Sequence, residues 1–481
     1  MRKLQRFEQN RETSMNRKAF FLTVLCGLTS SGSAFAHDPA TQVFDSGDTA
    51  WMLVSALLVL MMTVPGLALF YGGLVKRDNV LATLMQSLAI CAIVSIVWPV
   101  LGYSLAFSPG NSFIGGLDKA FLNGVTPNSA TGTIPESVFI TFQMTFAIIT
   151  TALLVGAVAD RIKFTSLMVF TPLWVLLVYA PIAHWVWGEG GFLGGVGLEG
   201  YQGFLGMGTA IDFAGGLVVH IASGVAGLVA AIFVGRCLKP VKGPSTSNNL
   251  TLSVIGAGLL WVGWFGFNAG SALTAGGTAG FAMLVTNAAA GTAATVWMIV
   301  EFMHKGKVSV QGTLSGVVAG LVAITPAAGF VDFGASLVIG FASALVCYVS
   351  VEHLKTWLRY DDSLDVFGLH GVGGIVGALL TGIFANPNIG GVAGTLYGGE
   401  TQLIAQILSI LVVAAYSGLA TFGILAVIKA TIGLRVDPRV EHYGLDLALH
   451  GQTAVEYERE VRARNAAAPL QYDDRNRKKA A

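Results

Sequence analysis

Two stretches of this 481-residue sequence carry ionisable groups in one arrangement. The first is Asp212-Phe-Ala-Gly-Gly-Leu-Val-Val-His220, running on to Ser223-Gly224. The second is Asp362-Ser-Leu-Asp-Val-Phe-Gly-Leu-His370, running on to Gly373-Gly374. In each, a carboxylate opens an apolar stretch, a histidine follows eight positions later, and a pair of small residues comes after it. Ionisable groups inside a hydrophobic span are expensive and mark functional paths. A neutral imidazole has one donor and one acceptor nitrogen. Two such rings can bond to each other and still face a pore, and the cost of burying charge keeps them uncharged. This chemistry suits a small hydrogen-bonding solute. It does not suit a bare metal ion, because no hard oxygen cage accompanies the rings. Asp212 and Asp362 at their helix starts also have a structural reading, as caps for free backbone donors.

The elements that position these groups are membrane helices. The chain is 54% hydrophobic and only 11% charged, against roughly 25% charged residues in soluble domains, and its mean hydropathy is +0.68. Sixty-one glycines suit closely packed membrane helices. The net charge of +1 gives no sign of nucleic-acid binding. Cys26, Cys91, Cys237 and Cys347 have no zinc or disulfide spacing.

Eleven apolar runs are long enough to span: 50–75, 80–107, 136–158, 164–187, 210–236, 251–274, 278–302, 310–330, 333–354, 364–386 and 402–430. Basic residues test this count. Lys76 and Arg77, Arg161 and Lys163, Arg236, Lys239 and Lys242, Lys305 and Lys307, and Lys355 and Arg359 follow the odd spans up to the ninth. The alternate loops hold only Lys119. Basic loops stay cytoplasmic, so the N-terminus lies outside and the C-terminus inside.

The fold class expected is therefore an all-α polytopic membrane protein. Residues 37–241 and 242–400 form an inverted five-plus-five helix repeat, 401–434 an extra helix, and 435–481 a charged cytoplasmic tail. Eight residues of helix rise about 12 Å, so both histidines reach the middle of a hydrocarbon layer about 30 Å thick, from opposite sides. Sites at the midplane of inverted repeats recur in transporters. Residues 1–36 read as a signal peptide, with Arg17 and Lys18 before an apolar run and Ala34-Phe-Ala36 as a cleavage site. Cleavage puts His37 outside, and Met15 is an alternative start. Aromatic residues gather at Phe142 and Phe146, at Tyr179 and Trp187, and at Trp261, Trp264 and Phe267. Spacing alone reads these as core and interfacial-belt residues.

Several long motifs in order resemble the Amt/MEP/Rh ammonium transporters, specifically the bacterial Amt branch, over about residues 45–457. They are Asp212–His220, Trp264-Phe-Gly-Phe-Asn-Ala-Gly-Ser271, Ala323-Ile-Thr-Pro-Ala-Ala-Gly-Phe330, Phe367–Gly374, and Gly433-Leu-Arg-Val436 followed by Gly444-Leu-Asp446 and His450-Gly451. The resemblance implies a homotrimer with one pore per subunit. It implies an outer ammonium site framed by Phe146, Trp187 and Ser271, with Phe142, Tyr179 and Trp264 nearby. Phe146 and Phe267 would form a gate, His220 and His370 the pore and proton relay, and Asp212 and Asp362 supports. No cofactor, metal site or catalytic residue is implied, and a PII-type nitrogen regulatory protein would dock on the cytoplasmic face. Trp187 favours Amt over Rh.

Three features depart from the family pattern: a longer outer loop at 188–211, a tail continuing past Tyr457, and residues 1–14. Ammonium can shed a proton and potassium cannot, and a hydrophobic pore penalises any ion. The implied activity is thus ammonium recruitment, deprotonation and ammonia conduction, with coupled proton transfer making transport electrogenic. The alternatives are a Rh-type neutral gas channel, an ammonium sensor or transport-coupled receptor, and an acid–base enzyme. For the enzyme, no nucleophile, ligand set or cofactor motif accompanies the histidines.

Overall fold

The computed structural model describes residues 44–238 and 249–454. The expected signal segment 1–36, Lys239, Lys242 and the tail beyond 454 lie outside the described residues. Ten helices are long and apolar enough to cross a membrane. They are α1 (Ser46–Leu74), α2 (Arg77–Phe107), α3 (Glu136–Val155), α4 (Phe164–Trp187), α5 (Gly216–Val234), α6 (Leu250–Ala269), α7 (Gly277–Lys305), α9 (Phe333–Trp357), α10 (Phe367–Phe384) and α11 (Gln402–Thr431). Between α7 and α9 lies a shorter apolar helix, α8 (Val310–Ile324). Turns over 325–330 continue it to the end of the eighth expected span. The protein is an all-α bundle whose eleven helices match the eleven apolar runs.

Two helices start later than expected. The apolar runs place Asp212 at the head of its helix and Asp362 just before its own, yet α5 begins at Gly216 and α10 at Phe367. The acids therefore cap from outside. The Asp212 carboxylate accepts four backbone N–H groups, from Gly215, Gly216, Leu217 and Val218, at 2.5–3.0 Å. These are the orphan donors of a helix start. His220 is thus the fifth helical residue of α5 and His370 the fourth of α10, so fewer helical turns lie between acid and ring than the 12 Å estimate assumed.

The remaining loops sort onto two faces. On one face the tail ties the basic loops together. It carries two short helices, α12 (Pro438–Tyr443) and α13 (Leu445–His450). Arg435 reaches the carbonyls of Val234 and Arg236 and pairs with Glu441 at 2.8 Å. Glu441 also accepts the Leu238 N–H, and Asp446 accepts those of Leu81 and Ala82. Lys163 N–H donates to the Leu434 carbonyl. Buried Arg161 donates to Gly235, Asp361 and Ser363. The loops that the charge alternation grouped together therefore do share one face.

On the other face two hairpins lie in the loop between α2 and α3. Strands β1 (Gly110–Asn111) and β2 (Ile114–Gly115) pair, as do β3 (Ala130–Thr131) and β4 (Ile134–Pro135). Lys119 in this loop pairs with Glu136 at the head of α3. The Gly-rich stretch 188–209 folds back beside the end of α4, with Leu193 N–H donating to the Trp185 carbonyl.

Candidate functional site

The expected site residues converge along one line through the bundle. Phe146, from α3, and Phe267, from α6, stack with ring centroids 4.1 Å apart and planes 20° apart. Rings stacked this closely leave no room for water between them. Trp187 meets Phe146 edge-on at 6.0 Å, and Phe142 lies 4.9 Å from Phe146. The Trp187 indole donates to the Asp212 carbonyl at 2.8 Å. Asp212 therefore caps α5 with its carboxylate and fixes Trp187 with its carbonyl.

Ser271 follows α6 and is only partly buried. Its hydroxyl donates to the Phe267 carbonyl at 2.9 Å. The proton is used there, so the lone pairs remain to accept from a donor-only ligand. Ring faces plus an accepting hydroxyl are what a small ammonium-type cation needs.

On the far side of the stacked phenylalanines, His220 lies 6.0 Å from Phe267 and 5.5 Å from Trp264, nearly parallel to both. Trp264 is itself held by a 3.0 Å bond to Thr325 Oγ1. His220 and His370 are 5.3 Å apart between centroids, at 24°. Their Nδ1 atoms are 3.3 Å apart, so one proton is shared between two neutral rings. His220 Nε2 is buried without a partner. A narrow cavity lies against both rings, walled by Ile149, Leu153, Leu260 and Val318. Its volume of about 10 Å³ is room for about one water-sized molecule.

Backbone geometry supports the convergence. His220, His370, Phe267 and Tyr179 all lie on π turns, Gly216–Ile221, Phe367–Gly371, Phe265–Ala269 and Val175–Tyr179. Such turns re-aim side chains inside a helix and cluster at functional sites. The two histidine helices approach backbone to backbone: a Cβ on Gly224 would sit 2.2 Å from the Gly371 nitrogen.

Two expected outer-site neighbours are placed differently: Trp264 stacks on His220 beyond the phenylalanine pair, and Tyr179 packs edge-on against Trp98 at 5.8 Å, its unpartnered buried hydroxyl within electrostatic reach of Asp212. Asp362 lies beyond the histidines on the tail-bearing side, with Oδ2 accepting the Phe367 N–H at 2.8 Å. Sequence reasoning missed Thr325, although the Ala323–Phe330 motif contained it. It also missed Gly371 as the partner of Gly224, which the paired small residues hinted at. Among the described residues no cluster of three or more His, Cys, Asp or Glu side chains is placed to hold a metal.

A family model, the Ammonium Transporter Family, matches residues 50–455. The chain belongs to this family. It is 48% identical over 428 residues to an ammonium transporter of Aquifex aeolicus, covering 88% of this chain and 96% of that one. It is also 48% identical over 412 residues to an ammonium transporter of Bacillus subtilis, covering 85% and 98%. Among solved structures, Saccharomyces cerevisiae Mep2 superposes with TM-score 0.74 at 35% identity, over 84% of this chain and 90% of that one. A structure titled "Sensor Amt Protein" superposes with TM-score 0.75 at 28% identity, over 84% and 98%. Family membership and ten apolar spanning helices make this chain a multi-pass membrane protein.

Proposed function

We propose that this chain is an electrogenic ammonium transporter, not an enzyme. Ammonium is held by Phe146, Trp187 and Ser271, with Phe142 beside them. It loses a proton there, and ammonia passes the Phe146–Phe267 gate into the apolar cavity along His220 and His370. The proton follows separately along the bridged imidazoles. The observation that carries this reading is the 3.3 Å histidine bridge directly behind a closed pair of rings. A closed apolar gate penalises any ion, while the bridge offers a proton two linked ring nitrogens.

In this reading the Trp187 end faces outside and the tail faces the cytoplasm, in the cell's plasma (inner) membrane. The two acid–histidine helices belong to an inverted repeat of residues 37–241 and 242–400. The functional unit is a homotrimer, and a PII-type regulatory protein docks on the tail face. The test is current in liposomes holding this protein alone. An ammonium gradient should drive inward positive current, and an equal potassium gradient none. Ammonia flux without current would favour a neutral gas channel instead.

A further inference from the structure

The two acids that mirror each other in sequence differ in one respect that capping does not explain. Asp212 uses both carboxylate oxygens, each accepting two backbone N–H groups. Asp362 uses one. Its Oδ2 accepts the Phe367 N–H, and its Oδ1 is buried with no hydrogen-bond partner. Asp362 is only 1% exposed. A buried carboxylate oxygen without a partner costs stability, and its persistence calls for a reason.

The surroundings supply one. Asp361 and Ser363, the chain neighbours of Asp362, line a wide cavity of about 670 Å³ on the tail-bearing face. On its other side Asp362 lies within electrostatic reach of the Tyr71 hydroxyl. Tyr71 donates to the carbonyl of Leu153, and Leu153 walls the narrow histidine cavity. Asp362 itself lines neither cavity: its two chain neighbours border the wide one, and Tyr71 links it toward the wall of the narrow one. The other titratable groups around it are Lys355, which donates to the Asp362 carbonyl and pairs with Asp365, together with Asp365 itself, Asp361 and Tyr360.

We propose that Asp362 is the proton acceptor on the exit side, taking the proton that leaves the histidine bridge and releasing it into the wide cavity. The proposal rests on the proton-coupled reading above. The step balances without a further reactant. An O–H bond forms at Oδ1 as the bridge, through intervening water, gives up a proton. That O–H bond then breaks toward ammonia or water in the wide cavity, leaving ammonium or hydronium and restoring the carboxylate. Burial, with the Asp365 charge second, pushes the Asp362 carboxyl up to about 6. A value this near neutrality lets the group load and unload at cytoplasmic pH. Burial pushes the Asp212 carboxyl up to about 6 as well, so what separates the two acids is geometry: each Asp212 oxygen already holds two amides, and the Asp362 Oδ1 holds none.

Asp362→Asn separates this role from capping. An Asn carbonyl oxygen still accepts the Phe367 N–H, so a purely structural Asp362 predicts unchanged current. A proton acceptor predicts ammonium-driven current lower by roughly 100-fold, the lower end for losing a general acid–base group. Asp362→Glu should restore current, with a displaced dependence on internal pH. Size-exclusion chromatography checks that each variant assembles like the parent. Should the Asn chain not assemble, the Glu variant carries the test, and a pH profile identical to the parent overturns the proposal. Full current in Asp362→Asn overturns it and leaves the proton-coupled reading standing. No ammonium current in the unaltered protein overturns both.

Discussion

At the scale of single residues, the histidine pair and the Ser271 hydroxyl make different demands. Ser271 offers one accepting oxygen, so Ser271→Ala should weaken ammonium binding by about 1–2 kcal/mol, the scale of one hydrogen bond. Half-saturation of current should rise about tenfold, a factor worth about 1.4 kcal/mol, while the current at saturation persists. His220→Ala breaks the 3.3 Å bridge and leaves the His370 Nδ1 buried and alone. Proton passage and ammonium current should fail together. His220→Glu keeps a proton-carrying group but places a carboxylate in the apolar cavity, where it can hold a cation, so potassium current should appear. Full ammonium current in His220→Ala, with potassium still excluded, would remove the relay from the mechanism. Sequence made the histidines and acids legible because charge in an apolar run is conspicuous. It did not distinguish the two acids, since the four amides shared over both oxygens of Asp212 and the unbonded Oδ1 of Asp362 depend on how each loop turns into its helix. Nor could aromatic spacing tell a core ring from a gate, because both are buried apolar side chains. The 4.1 Å stack of Phe146 on Phe267, on which the proposed gate rests, is a matter of tertiary packing.

At the scale of elements, the site depends on how closely α5 and α10 approach. Gly224 and Gly371 meet where an added Cβ would stand 2.2–2.4 Å from backbone atoms. Gly224→Ala must push the two helices apart, and overpacking of this kind costs about 1–3 kcal/mol. The imidazoles ride on those helices, so current should fall even where the protein still assembles. A Cβ added at Gly258 would meet nothing within 4 Å. Gly258→Ala should leave both the melting temperature and the current unchanged, which makes it the control. The start of α5 gives a second test. Asp212→Ala strands four amides while leaving the backbone carbonyl that holds Trp187, and should cost about 3 kcal/mol or more, the scale of two charge-assisted bonds. Thermal unfolding in detergent measures both effects. Helix number was legible from apolar runs and alternating basic loops. Helix starts were not, because Phe213 and Ala214 are as apolar as the helix they precede.

At the scale of the molecule, the tail is built as a clasp across the face that carries the wide cavity. Glu441 is its hub. It is 1% exposed, pairs with Arg435 and accepts the Leu238 N–H. Asp446 holds the start of α2 and Arg435 holds the end of α5. Composition announced only a charged tail, and such a tail reads as solvated. The pairing of Glu441 with Arg435, six residues apart on either side of a turn, is invisible to that reading. The clasp holds the Arg236 carbonyl, and the Arg236 guanidinium donates to the Arg359 carbonyl across the rim of the cavity. A protein partner docking there would meet a preformed basic rim rather than separate loops. Removing Glu441 leaves the Arg435 guanidinium without its carboxylate and the Leu238 amide without an acceptor, a loss of about 3 kcal/mol or more for a buried charge pair. In Glu441→Ala the amide of Leu238 should therefore exchange with solvent at least about 100-fold faster, which mass-resolved hydrogen exchange reads directly. The ammonium current should survive, because no pore residue touches the clasp. Binding of a PII-type protein, measured by pull-down from cells shocked with ammonium, should fall sharply. Undiminished pull-down with a loosened Leu238 amide would show that the partner reads another surface, and recovery of no such partner from the unaltered protein would remove the docking proposal itself.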